Sequence, residues 1–209
     1  MEDNTFEITT CRGIEPGVCR FAQPLPGDLT ALLRETIINT GWPDFLNECH
    51  NNKIRNHNKF RISVSLCPNG CSRPHIADMG IISSAVPEIT DQDCTACGLC
   101  ASRCKDGAIT VTTAGPEISS GKCLLCGHCA DICSSGTITK GRTGLRILAG
   151  GKLGRRPMLA FEIPGLFTIE ETVPVVDRSV RFCMENYRPG LRFRDSIEQD
   201  RAEFFEALK

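Results

Sequence analysis

The sequence predicts an α+β fold, a mixed sheet backed by helices, with a small cysteine-rich module inserted in it. Three observations carry this expectation. Runs with strand character stand before and after a central segment, helical patterns lie near the start and at the end, and that central segment repeats one four-cysteine run.

Residues 5–20 read as a strand carrying Cys11 and Cys19. Pro24-Leu25-Pro26-Gly27 is a turn, and Asp28 caps a helix from Leu29 to Ile38 that Gly41 ends. Its apolar positions Leu29, Leu32, Leu33, Thr36 and Ile37 share one face. A second short helix follows Pro43. Lys59 to Leu66 alternates as a strand does, and Met79 to Val86 is another, after which Pro87 opens the insert. Inside the insert, Ala108–Val111 and Thr137–Thr139 are short strand-like runs. Strands at Leu145–Ala149 and Met158–Ile163 flank a glycine-rich loop, and helices at 170–187 and 195–208 close the chain. The expected domains are 1–87 with 141–209, and the insert 88–140.

Composition narrows the function classes. The chain has 209 residues, and 24 Lys plus Arg against 25 Asp plus Glu leave a charge of −1. That balance gives no electrostatic case for nucleic acid or an anionic membrane. No apolar run approaches the roughly 20 residues of a spanning helix. Met1-Glu2-Asp3-Asn4 is unlike a secretory signal, so a cytoplasmic protein is expected. With 14 cysteines in a reducing compartment, metal binding or redox chemistry is favoured over disulfides.

The cysteine spacing selects among metals. Cys94, Cys97, Cys100 and Cys104 form C-x2-C-x2-C-x3-C, repeated as Cys123, Cys126, Cys129 and Cys133. Gly98/Gly127, Gly107/Gly136, Ile109/Ile138 and Thr110/Thr139 repeat in register, marking a duplication. In two-cluster ferredoxins the fourth cysteine of each run ligates the other cluster. This predicts one [4Fe-4S] centre on Cys94, Cys97, Cys100 and Cys133, and another on Cys123, Cys126, Cys129 and Cys104. Lys105 and Ser134 stand where a proline usually follows. A pair of zinc ribbons would place two C-x2-C units across a longer gap.

A second group, Cys67-Pro-Asn-Gly-Cys71, puts two thiols on a tight turn at the end of a strand. Ser65-Leu-Cys67-Pro-Asn-Gly-Cys71-Ser-Arg-Pro-His-Ile-Ala-Asp-Met-Gly80 closely resembles the cluster loop of sirohaem-dependent sulfite and nitrite reductases. Thr10-Cys11 to Cys19-Arg20 resembles the first cysteine pair of that family, and Leu145 to Ala160 its glycine-rich loop. The arrangement is most like anaerobic and dissimilatory-type sulfite reductase subunits.

The resemblance implies a third [4Fe-4S] cluster on Cys11, Cys19, Cys67 and Cys71, with Cys71 bridging to the iron of sirohaem. It implies sulfite or nitrite as substrate, an electron donor protein, and a homo- or hetero-oligomer. Asn69, Arg73, Gly151, Lys152, Arg155 and Arg156 become the candidate sirohaem contacts, because amides and Arg forks suit its carboxylates. Arg12, Arg20, His75 and His128 are further polar groups near the cysteines, each also readable as an ordinary surface or cluster-neutralising residue. The first pair is C-x7-C where the family has C-x5-C, as though Pro16-Gly17 loops out. Ten residues precede Cys11 where full-length members carry an extra domain, so the expected molecule is a half-module. The alternative function is an electron-transfer subunit that needs a partner chain. Cys49 and Cys183 read as small buried hydrophobes. The glycine loop does not match a nucleotide P-loop.

Overall fold

The computed structural model describes residues 4–25 and 27–208; Pro26 of the expected turn and Met1 to Asp3 of the acidic start lie outside the described residues. Its first half runs β1 (Phe6–Thr10), α1 (Leu29–Asn39), α2 (Trp42–His50), β2 (Phe60–Ser65) and β3 (Met79–Ile89). A central segment follows with α3 (Leu99–Arg103), β4 (Ile109–Thr112), β5 (Gly115–Ile118) and α4 (His128–Ile132). The chain closes with β6 (Ile138–Ala149), β7 (Phe161–Phe167), α5 (Ile169–Glu185), α6 (Phe193–Gln199) and α7 (Arg201–Ala207).

Five strands make one mixed sheet in the order β1-β2-β3-β6-β7. β1, β2 and β3 are mutually parallel, while β6 is antiparallel to both β3 and β7. A parallel pair needs a crossover. Helices α1 and α2 supply the first, and the Leu66 to Asp78 segment with its 3-10 turn Pro74–Ile76 supplies the second.

Period-two alternation gives this sheet two unlike faces. Phe60, Ile62 and Val64, with Met79 and Ile81 and with Leu145, Ile147 and Ala149, join the main core. Their alternates Ser63, Ser65, Gly80 and Arg146 are small or polar. The apolar face is covered by α1 and α5, whose Leu33, Ile37, Val176 and Val180 are fully buried. Asp28 caps α1 by accepting from the Ala31 N–H at 3.0 Å. Thr168 and Glu171 form a capping box at the start of α5. Phe204 of α7 lies edge-on to Phe182 and Phe193, at 5.1 and 5.8 Å between centroids.

The α+β class, the mixed sheet and the helical backing agree with the sequence expectation, but several elements differ. The strand expected over 5–20 ends at Thr10; the chain then turns through a 3-10 helix, Arg12–Ile14, with Cys11 and Cys19 on either side. Leu32, expected on the buried face of α1, is 39% exposed, because the apolar stripe there is narrower than the pattern suggested. Pro87 does not end β3, which continues to Ile89 through a register shift between Ala85 and Pro87. β6 unites Thr139 with the Leu145 run, since pairing with β3 overrides the polar Lys140 to Gly144 stretch. β7 begins at Phe161, because Met158 instead exchanges two hydrogen bonds with Lys152 (2.9 Å each) that close the glycine loop. The last helix is broken at Asp200, whose carboxylate accepts the Glu203 N–H at 2.8 Å and starts α7 afresh. Among the described residues no helix is long and apolar enough to cross a membrane.

Candidate metal centres and cofactor site

Ligands of parallel sheets gather beyond the carboxyl ends of the strands. Cys11 directly follows β1, and Cys67 lies one residue past Leu66, which follows β2. The parallel register sets Thr10 beside Val64, so the two chain exits emerge together. The Cys11 N–H donates to the Val64 carbonyl at 3.0 Å, and the Leu66 N–H donates to Cys11 Sγ at 3.3 Å. Burial pushes the Cys67 thiol up, and charge on Cys11, Cys19 and Cys71 adds to that push. Cys11 and Cys67 thus leave neighbouring strand ends, with Cys19 and Cys71 near enough for their charge to act on the Cys67 thiol. Cys11 and Cys67 are buried, Cys19 is half-buried, and Cys71 is exposed.

The small, polar face of the sheet seats this loop. The Ser63 hydroxyl donates to the Ser72 carbonyl (2.6 Å), Ser65 and Ser72 share a hydroxyl hydrogen bond (2.6 Å), and the Ser72 hydroxyl donates to the Val64 carbonyl (2.8 Å). Gly80 leaves room for the loop: a Cβ there would stand 2.3 Å from the Pro74 carbonyl oxygen. Gly151 does the same on the far side, where a Cβ would lie 2.6 Å from the carbonyl oxygens of His75 and Ala77. The serines and Gly80 acquire this role only when strand and loop meet. Their sequence signal was limited to small residues alternating with apolar ones.

The duplicated run builds two further groups. One cavity is lined by Cys94, Cys97, Cys100 and Cys133, and another by Cys104, Cys123, Cys126 and Cys129. Each gathers three cysteines of one run with the fourth of the other. The copies share a backbone: Gly98 and Gly127 precede α3 and α4 in the left-handed region at φ 72° and 71°. Ala96 and Leu125, equivalent in the repeat, are also left-handed at φ 54° and 57°. Such strain, about 1–3 kcal/mol at a non-glycine residue, is retained where the surroundings impose it. Burial pushes Cys129 up to about 11 and raises Cys100 and Cys126. Burial also acts on Cys133, but the Ser135 hydroxyl and nearby N–H groups outweigh it and lower that thiol.

Main-chain donors point at sulfur in all three groups. Ala96 N–H donates to Cys94 Sγ (3.4 Å), Ile138 N–H to Cys133 Sγ (3.3 Å) and Ala108 N–H to Cys104 Sγ (3.2 Å), matching Leu66 to Cys11. The Phe21 main chain, with Arg12 beside it, lowers the Cys19 thiol. Among the described residues no three Cys, His, Asp or Glu side chains close onto a single-ion site. A zinc ion draws its thiolates to about 2.3 Å from one centre. A cubane instead takes each cysteine on a different iron corner, and the two four-cysteine cavities each offer the thiols for one.

Of the candidate tetrapyrrole contacts, Asn69, Arg73, Arg155 and Arg156 are exposed, and none of the three arginine side chains has an ion pair among the described residues. Arg73 is held left-handed at φ 66° just after the cysteine turn. Lys152 is tied to Asp195 of α6, so its charge is already matched. Gly151 is buried, and its N–H makes no hydrogen bond among the described residues. Open cations and one free amide suit a ligand rich in carboxylates. The His75 ring lies 3.6 Å from where a Gly70 side chain would begin, and the His128 ring packs on Phe21 at 5.2 Å. Cys183 is buried as expected, but Cys49 is exposed, because it lies on the solvent side of α2.

A family model of the nitrite and sulphite reductase 4Fe-4S domain matches residues 53–207. A relative from Methanocaldococcus jannaschii, named coenzyme F420-dependent sulfite reductase, is 42% identical over 120 residues, covering 57% of this chain and 19% of that protein. The chain thus spans about a fifth of that relative. The crystal structure of dissimilatory sulfite reductase I (DsrI) shares the fold, with a TM-score of 0.59 and 17% identity over 96% of this chain and 51% of that one. The Mycobacterium tuberculosis NirA protein aligns less well, at a TM-score of 0.48 and 16% identity over 97% of this chain and 26% of that one. The family match begins ahead of β2 and runs into α7, taking in the cluster loop and both cysteine runs, and the chain belongs to the nitrite and sulphite reductase 4Fe-4S domain family.

Proposed function

We propose that this chain is a sirohaem-iron–sulfur oxidoreductase of sulfite reductase type. Electrons would enter at two ferredoxin-type [4Fe-4S] centres in the inserted segment, pass to a third, and reach sirohaem through Cys71 to reduce sulfite, or nitrite as its close analogue. The observation that supports this reading is the exit of Cys11 and Cys67 from neighbouring ends of β1 and β2, where the Leu66 N–H donates to Cys11 Sγ. Bound there, the clusters and the tetrapyrrole would supply one-electron transfer and the iron at which the anion is reduced.

The chain's own residues account for the rest. Cys94, Cys97, Cys100 and Cys133 would hold the first centre, and Cys104, Cys123, Cys126 and Cys129 the second. Buried Cys11 and Cys67 anchor the third and exclude water from its inner side, while exposed Cys71 offers its sulfur outward. Arg73, Arg155, Arg156 and the free N–H of Gly151 would bind carboxylates. Lys152 orients the loop through Asp195 rather than gripping the ligand itself. A cytoplasmic location, an electron donor protein and an oligomeric state belong to the same reading.

One observation favours the alternative, an electron-transfer half-module completed by a partner chain or second copy. Asn69, Cys71, Arg73, Arg155 and Arg156 are all open to solvent, so in this reading the chain would supply one wall of the cofactor site. Reduced viologen with sulfite or nitrite separates the two. Turnover by the purified chain supports the first reading, and turnover only after a partner chain is added supports the second. Protein that holds no tetrapyrrole under any of these conditions would overturn the first reading and leave an iron–sulfur electron carrier.

A further inference from the structure

Gln23 belongs to no cysteine motif, yet it is 6% exposed and lies between two of the cysteine groups. Its side-chain amide donates to the carbonyl of Cys126, 103 positions away, at 3.0 Å. Its main-chain N–H donates to the Leu66 carbonyl at 2.7 Å, and its own carbonyl accepts the Ser83 hydroxyl at 3.1 Å. The Leu66 N–H in turn donates to Cys11 Sγ. A path of three hydrogen bonds, joined through Gln23 itself and the backbone of Leu66, therefore runs from the Cys126 carbonyl to the Cys11 thiol. A second contact runs alongside, where the Phe21 and His128 rings meet at 5.2 Å.

We propose that Gln23 is a positioning residue that sets the spacing and electronic coupling between the Cys126 centre and the Cys11/Cys67 centre. The inference rests on the functional reading above. A buried amide donor is costly to place and is retained where it has a specific partner. Here that partner is the main chain of one metal-binding loop, and the other end of the residue is fixed to the second. The step concerned moves one electron: one centre is oxidised as the other is reduced, with no bond or proton exchanged. The reductant is the low-potential donor that the reading already requires.

The test uses the full chain, reconstituted anaerobically with iron and sulfide. Iron content and midpoint potentials are measured first; electron equilibration between centres is then followed after a pulse of reductant, with dipolar broadening of the reduced centres read by electron paramagnetic resonance. Gln23→Met keeps length and volume but removes the donor. It should keep wild-type iron and potentials while equilibrating severalfold more slowly. Gln23→His, which retains an N–H, should recover part of the rate. Equilibration of Gln23→Met at the wild-type rate, or loss of iron from it, would overturn the proposal, since the residue would then serve only the fold. Wild-type protein that lacks the third centre would instead refute the functional reading itself.

Discussion

Cys71 is the exposed member of the proposed third cysteine group, in which Cys11 and Cys67 are buried. That asymmetry suits a sulfur shared between an iron–sulfur cube behind it and a ligand in front. Cys71→Ser should abolish the magnetic coupling between haem and third cluster while both centres of the inserted segment stay bound, as measured by electron paramagnetic resonance and iron analysis. Unchanged coupling would remove the bridging role. At this scale the cysteine motifs stood out because their spacing is local. The roles of Gln23, Ser63, Ser65 and Ser72 did not, because the Gln23 partner lies 103 positions away and the serines meet only when the loop folds back over β2. Cys49 was misread for the complementary reason: which side of α2 meets the core is decided by the other helices.

At the scale of elements, a crossover loop lies flat on a sheet face that carries serine and glycine. Gly80 is the position that permits this approach, with the Pro74 carbonyl occupying the space a side chain would need. Gly80→Ala should cost about 1–3 kcal/mol through overpacking. It should also lower iron content by one cluster, read by urea unfolding together with iron assay. A variant with full iron and wild-type stability would mean the loop seats elsewhere. The strands at β2 and β3 were readable from alternation. The length of β6 was not, since Lys140 to Gly144 is polar and becomes strand only by pairing with β3. The break at Asp200 was hidden by a helical pattern that continues on both sides of a residue well suited to capping.

Across the whole molecule, one buried carboxylate ties the inner strands of the sheet to the closing helices. Asp78, at the start of β3, accepts the Arg61 N–H at 2.9 Å and faces Arg192 at 3.7 Å. Burial pushes it up to about 6, against the opposing pull of Arg192 and Arg61. Folded, it therefore holds its proton more tightly than unfolded, where the value is 3.8. Its contribution to stability falls as pH rises through that window and levels off above about 6. Urea unfolding across pH should show the wild type losing stability relative to Asp78→Asn by up to about 1.4 kcal/mol per pH unit below that point. Parallel profiles would show that the carboxyl titrates normally.

The account as a whole stands on three iron–sulfur centres and a tetrapyrrole in one chain. Metal and pigment analysis of anaerobically isolated protein measures this directly. It should return about twelve cluster irons, one more iron with the macrocycle, and an isobacteriochlorin absorption spectrum. About eight irons and no pigment, or zinc in place of iron on Cys67 and Cys71, would contradict it.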